Sequence, residues 1–265
     1  EFRRVLFRSG LAHLRARGGR PQVDWLGASL LAVAIVAFLL AMSWAGEAFD
    51  WISLEMGGLL LLTLVAVALL AWQERRAADP MLPPRLFRNR AYVMGTGASG
   101  LAALNIFLCI FALPLHFQLV RDADASLSGL LVVPFLLSTV AGNFVVAWLA
   151  PRLGRMREIL TGGYVAAAVG LVSLATVTAA VPTAMVLLAM TIAGIGLGMS
   201  MVGTLISVQN ALERRDMGAG TGALLVIRSL GSALGGALAG TLLAMEFRDA
   251  LARSGVTQEI GRAHV

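Results

Sequence analysis

Seven apolar stretches, at 23–44, 53–72, 91–119, 128–149, 159–179, 183–209 and 218–246, divide this chain. Each holds about the 20 residues that an α-helix needs to cross a hydrocarbon core of ~30 Å. In lipid every backbone N–H and C=O must find its partner inside the protein, so a spanning segment of this kind has to be helical. The expected fold is therefore an all-α membrane protein with seven transmembrane helices. The arginines add a direction. Arg15, Arg17, Arg20, Arg75, Arg76, Arg85, Arg88, Arg90, Arg152, Arg155, Arg157, Arg214 and Arg215 occupy one set of alternate gaps, while the other set holds Arg121, Arg248 and Arg253. Loops rich in Arg stay in the cytoplasm. The N-terminal end is accordingly expected to be cytoplasmic, and the chain to leave its last helix outside.

Composition bears on what the chain is not. Charged residues make up 14% of it, against about 25% in a soluble domain. The formal charge of +6 does not point to nucleic acid, because the arginines sit in short loops separated by spans and not on one continuous face. Every basic residue is Arg, which fits GC-rich codon usage better than phosphate binding. With Cys109 as its one cysteine, the chain has no internal disulfide and no multi-cysteine metal site.

Both ends read as foreign. Residues 1–9, EFRRVLFRS, and 260–265, IGRAHV, match translations of the two ends of a short-read sequencing adapter. The natural chain is expected to lack them and to run further at both sides.

The spans differ in character. Those at 53–72 and 159–179 are almost free of polar side chains and are expected at the periphery. Trp25, Trp44, Trp51 and Trp72 mark span ends, where amphipathic rings favour the headgroup layer. Pro80, Pro83 and Pro84 make 73–90 a non-helical cytoplasmic linker. The third, fourth, sixth and seventh spans carry polar side chains, prolines and glycines, which membrane depth tolerates where they face protein or a wet cavity. These four are the expected cavity lining.

Gly95-Thr96-Gly97-Ala98-Ser99-Gly100 fits the dinucleotide fingerprint in letters alone; with no strand before it, close helix packing explains the glycines better. In the seventh span Gly218, Gly222, Gly231, Gly235, Gly236 and Gly240 form small-xxx-small pairs, read as helix packing. Arg228 lies about 15 Å into the same span, with no Asp or Glu at mid-span anywhere in the chain. It either lines a cavity, bonds between helices, or snorkels toward the interface. His116 and Gln118 lie together near the outer end of the third span, and a single histidine makes no metal site. Asn105 and Asn143 offer bonds to one another or to a bound molecule.

The segment 147–157, AWLAPRLGRMR, is read as an inner loop that resembles a signature loop of the major facilitator superfamily. Arg152, Gly154 and Arg155 match that motif, whereas Ala147 and Pro151 replace its first glycine and its acid. VDWLGASLL, PMLPPRLFRNRAY, LPLHFQLV and GAGTGALLVIRSLGSALGGALAG are each similar to segments of its fourteen-span drug:proton antiporter branch. The resemblance implies a C-terminal fragment. Residues 10–72 would be two extra linker helices, 73–90 the linker, 91–246 five helices of the C-terminal six-helix bundle, and 247–259 a truncated outer loop. It further implies a proton-coupled exporter of amphipathic or cationic small molecules in a bacterial inner membrane. Its partners would be substrate, protons, lipid and an N-terminal bundle of the same protein; no cofactor, metal or nucleic acid is implied. Asn105, Phe107, Phe111, His116, Gln118, Phe135, Asn143 and Arg228 are the expected pathway residues, with Phe144 as a further aromatic contact. Export of a metabolite, lipid or siderophore is the alternative, and a non-transport scaffold a further one. An intramembrane enzyme would need a nucleophile with its base, or clustered His and acids, which the spans lack.

Overall fold

A computed structural model describes residues 24–254 except 46, 47, 51, 78, 79, 81 and 179, and for 246–254 the backbone alone. Seven helices are long and apolar enough to cross a membrane. They are α1 (Trp25–Trp44), α2 (Leu54–Glu74), α3 (Arg90–Arg121), α4 (Ala125–Leu153), α5 (Met156–Ala175), α6 (Thr183–Asn210) and α7 (Met217–Ser254). No strand occurs among the described residues beyond an isolated bridge between Ala45 and Phe49. Several helices start where a short polar side chain can satisfy free N–H groups. Asp24 accepts from the N–H of Gly27 at 2.8 Å, Asn89 from Ala91 and Tyr92, and Asp124 from Leu127.

Two boundaries differ from the sequence expectation. The helix that was to end near 149 runs through Pro151 to Leu153, leaving only Gly154 and Arg155 between α4 and α5. Gly154 adopts φ +60°, a left-handed stop that suits glycine, and its N–H bonds the carbonyl of Ala150. α7 continues to Ser254, so 247–254 is helix where an outer loop was expected. Its run of Phe, Arg, Ala and Leu favours helix, and Gly255 is the first breaker.

α6 is the hub. Half of its most apolar window is buried, against 17% for α2 and 22% for α5, the two spans expected at the periphery. It packs along its length on α4 and on α5, while α3 pairs with α7, and α1 pairs with α2 and touches α7. Lipid supplies no hydrophobic drive between helices, so such contacts depend on close backbone approach. Glycine provides it here. A Cβ at Gly198 would strike the carbonyl of Thr139 in α4, and one at Gly196 would strike the backbone of Ala167 in α5. The main apolar cluster, with Phe117, Phe135, Met190 and Leu197, fills the space between α3, α4, α5 and α6.

The linker is held against the bundle. Leu86, in a 3-10 turn at Leu86–Arg88, is buried with Tyr92, Val208 and Leu224. Arg85 donates to both carboxylate oxygens of Asp216, through Nε at 2.9 Å and Nη2 at 2.6 Å. That hydrogen-bonded pairing raises the Arg85 pKa further above its ordinary value. Asn89 donates to the carbonyl of Ala211 at 3.0 Å. Residues 82–89 are thus tied to the α6–α7 corner.

Candidate substrate pathway

Arg228 occupies the centre of the only polar layer that joins three helices through one side chain among the described residues. Its Nε and Nη2 donate to Ser99 Oγ of α3 at 3.0 and 2.8 Å, and Nη2 donates also to the carbonyl of Met201 in α6 at 2.9 Å. At 1.5 Å per residue, Arg228 lies about 16 Å from the start of α7, Ser99 about 14 Å from the start of α3, and Met201 about 14 Å from the end of α6. All three distances are taken from the same, Arg-rich end. One helix over, Tyr164 of α5 shares a 2.8 Å hydrogen bond with Thr204 of α6. A guanidinium at mid-span costs ~2.5–3.5 kcal/mol on insertion scales. Here the neighbouring hydroxyl and carbonyl offset part of that cost, and they hold the head group inside the bundle and away from the interface. Snorkelling is not what this conformation does.

The other expected pathway residues do not converge on Arg228. Asn105 donates to the carbonyl of Leu101, four residues back on its own helix, and not to Asn143. Asn143 keeps a buried Oδ1 without a partner, as does Nε2 of His116, whose ring stands edge-on to Phe117 at 5.7 Å. Gln118 donates to Ser128 at 2.9 Å and so ties α3 to α4 at the opposite end. Phe107, Phe111 and Phe144 are exposed. Phe135 is fully buried in the main apolar cluster, where its ring is unavailable to a bound molecule; the period of α4 turns it inward with Val132 and Ser138. Phe111 instead borders a cavity of about 530 Å³ between α1, α3 and α7, shared with Leu39, Met42, Gly236 and Gly240.

The six α7 glycines expected to pack differ in what lies against them. A Cβ at Gly231 would meet the backbone of Gly100, and one at Gly235 that of Leu104. Gly236 only approaches the ring of Phe111, and around Gly218, Gly222 and Gly240 nothing lies within 4 Å. The six pair up in sequence, yet at 100° per residue Gly231 and Gly235 fall on the side opposite Gly218, Gly222, Gly236 and Gly240. Of the fingerprint-like glycines, Gly95 and Gly100 are packed against a neighbouring helix, whereas a Cβ at Gly97 would meet nothing within 4 Å. All three lie inside α3, where Gly95 faces Val208 and Gly100 faces the backbone of Ile227.

The Major Facilitator Superfamily profile matches residues 24–242, from the cap of α1 almost to the end of the described side chains of α7. The chain belongs to the major facilitator superfamily. Related proteins of this superfamily include the uncharacterized MFS-type transporter Rv1877 of Mycobacterium tuberculosis, 30% identical over 86% of this chain and 33% of its own length. The multidrug transporter protein MdtP of Bacillus subtilis is 26% identical over 86% of this chain and 42% of its own length. Multidrug resistance protein 3 of the same organism is 25% identical over 91% of this chain and 49% of its own length. The chain thus spans about a third to a half of the length of these curated relatives.

Within this superfamily member the resemblance motif has a plain local geometry. Arg152 stacks over the Trp148 ring at 3.7 Å, Gly154 stops α4, and Arg155 pairs at 3.4 Å with Glu158 on an exposed surface. Two side chains that sequence reading passed over tie the helices at either end. Asp216 anchors the linker through Arg85, and Arg121 joins the end of α3 to Thr183 and to the carbonyl of Val181 at the start of α6. Asp216 had a visible signal, being the one acid directly before an apolar span and after two arginines. Arg121 had none.

Proposed function

We propose that this chain is the C-terminal portion of a proton-coupled exporter of amphipathic or cationic small molecules, from the fourteen-span branch of the superfamily. The observation that carries this reading is the extent of the likeness to transporters named for multidrug resistance, which runs through all seven helices. α1 and α2 would be the inserted pair, and α3 to α7 five helices of the second bundle. The Arg-rich end, with the linker and the α6–α7 corner, would face the cytoplasm of a bacterial cell.

Alternating access would come from rocking of this bundle against an N-terminal one about a midplane site. The layer of Arg228, Ser99 and the Met201 carbonyl would belong to that site; Asn105 and His116 lie further along α3, away from the Arg-rich end, and Asn143 lies on α4 about 15 Å from its Arg-rich end. The mid-span segments hold no Asp or Glu, so a proton-carrying carboxylate would sit in the first bundle. The test is to recover the longer gene and express it in a pump-deficient bacterium. Energy-dependent efflux of amphipathic dyes that stops with an uncoupler is the expected result. Unchanged dye retention, at a protein level verified in the membrane, would overturn the reading.

A further inference from the structure

The guanidinium of Arg228 is used on one edge and free on the other. Nε and Nη2 are committed to Ser99 Oγ and the Met201 carbonyl. Nη1 makes no hydrogen bond to a described residue, and it is not among the buried unpartnered atoms, so its two N–H groups reach the surface of the bundle. The fixed edge matters as much as the free one. With Ser99 fully buried behind it, the plane of the guanidinium is set and cannot swing out to the headgroups.

Among the described residues no carboxylate answers this charge. From α3 the facing group is a serine hydroxyl, from α6 a carbonyl, and from α5 the nearest polar side chain is the Tyr164 phenol. The described ion pairs all lie at the ends of the helices. A pre-oriented guanidinium whose Nη1 still has N–H groups to give, with no carboxylate beside it among the described residues, suits one oxygen of a carboxylate or similar anion, held by a charge-assisted hydrogen bond.

We infer that the free Nη1 edge of Arg228 is an anion-recognition point, taking the carboxylate or comparable anionic group of an amphipathic ligand. The inference rests on the exporter reading and narrows it from amphipathic or cationic compounds to amphipathic ones that carry an acidic group. The apolar part of such a ligand would lie along the exposed face of α3 and α7.

The test uses this chain, with arginine labelled by nitrogen-15, in phosphatidylcholine nanodiscs. The Arg228 Nε resonance is assigned by its loss in R228K. Naphthaleneacetate is expected to shift it saturably, and the neutral naphthaleneacetamide, of the same shape, to bind about tenfold more weakly or worse. In S99A, which frees the fixed edge, the acid should lose part of that advantage. No saturable shift, or equal shifts from acid and amide, overturns the inference without touching the exporter reading. The longer protein supplies the second arm. There R228Q should lower naphthaleneacetate efflux about tenfold more than naphthaleneacetamide efflux, and equal losses would mean that Arg228 engages the protein's own carboxylate. Absence of efflux for any amphiphile would sink the exporter reading, while the nanodisc titration still decides the anion site.

Discussion

α7 presents two glycine faces, and only one of them is pressed against another helix. Gly231 and Gly235 meet α3 backbone to backbone, with Arg228 on the same side reaching across to Ser99. Gly218 and Gly222 have nothing within reach of an added Cβ, and Gly236 and Gly240 border the cavity shared with α1. Both faces carry the small-xxx-small spacing. The spacing therefore marks where close approach is possible, and a partner backbone decides where it happens.

That contrast can be broken by substitution. The largest effect is expected from Gly231→Leu, whose side chain has to displace the backbone of Gly100. A loss of about 3 kcal/mol in unfolding free energy in detergent micelles is predicted; a stable, monodisperse protein with unchanged unfolding would show that α3 and α7 are not packed at this register. Next in size is Ser99→Ala, which leaves Arg228 donors without their acceptor inside the bundle and should cost about 1–2 kcal/mol. Equal stability would mean that Arg228 finds its partners elsewhere. Arg85→Gln tests the ends and not the middle: it should speed proteolytic cutting between residues 75 and 90 several-fold while the spans stay protected. Gly222→Ala closes the series. With no neighbour to meet, it should leave stability unchanged or raise it by about 0.5–1 kcal/mol through helix propensity, and a loss comparable to that of Gly231→Leu would erase the distinction between the faces.

The seven helices were legible because lipid leaves backbone groups a single solution, and the length of each apolar run reports it directly. Their ends were less so. Pro151 looks like a helix stop, and the charges at Arg248, Asp249 and Arg253 look like the end of a span, yet helix continues through both. Arg228 stood out in the sequence through the cost of charge at depth. Its partners did not, since Ser99 is one of many small polar residues and the Met201 carbonyl belongs to the backbone, which has no letter of its own. Phe135 and Phe144 show the same limit. Both are aromatic residues of α4, but one is wholly buried and the other 70% exposed, and the difference is the rotation of α4 against α6. The prolines of the linker were plain in the sequence; that it is clipped to the α6–α7 corner depended on Asp216, 131 residues from Arg85.

The account stands on seven helices standing side by side across a bilayer, with the linker and the α6–α7 corner on one side and the α3–α4 and α5–α6 corners on the other. Impermeant maleimide labelling of intact cells measures this most directly. In a Cys109→Ala background, single replacements Arg88→Cys and Glu213→Cys report the first side, Ser126→Cys and Thr178→Cys the second. Labelling of the second pair only, with the first pair reacting after permeabilisation, is predicted. Labelling that separates Arg88→Cys from Glu213→Cys, or reaches the first pair alone from outside, would contradict it.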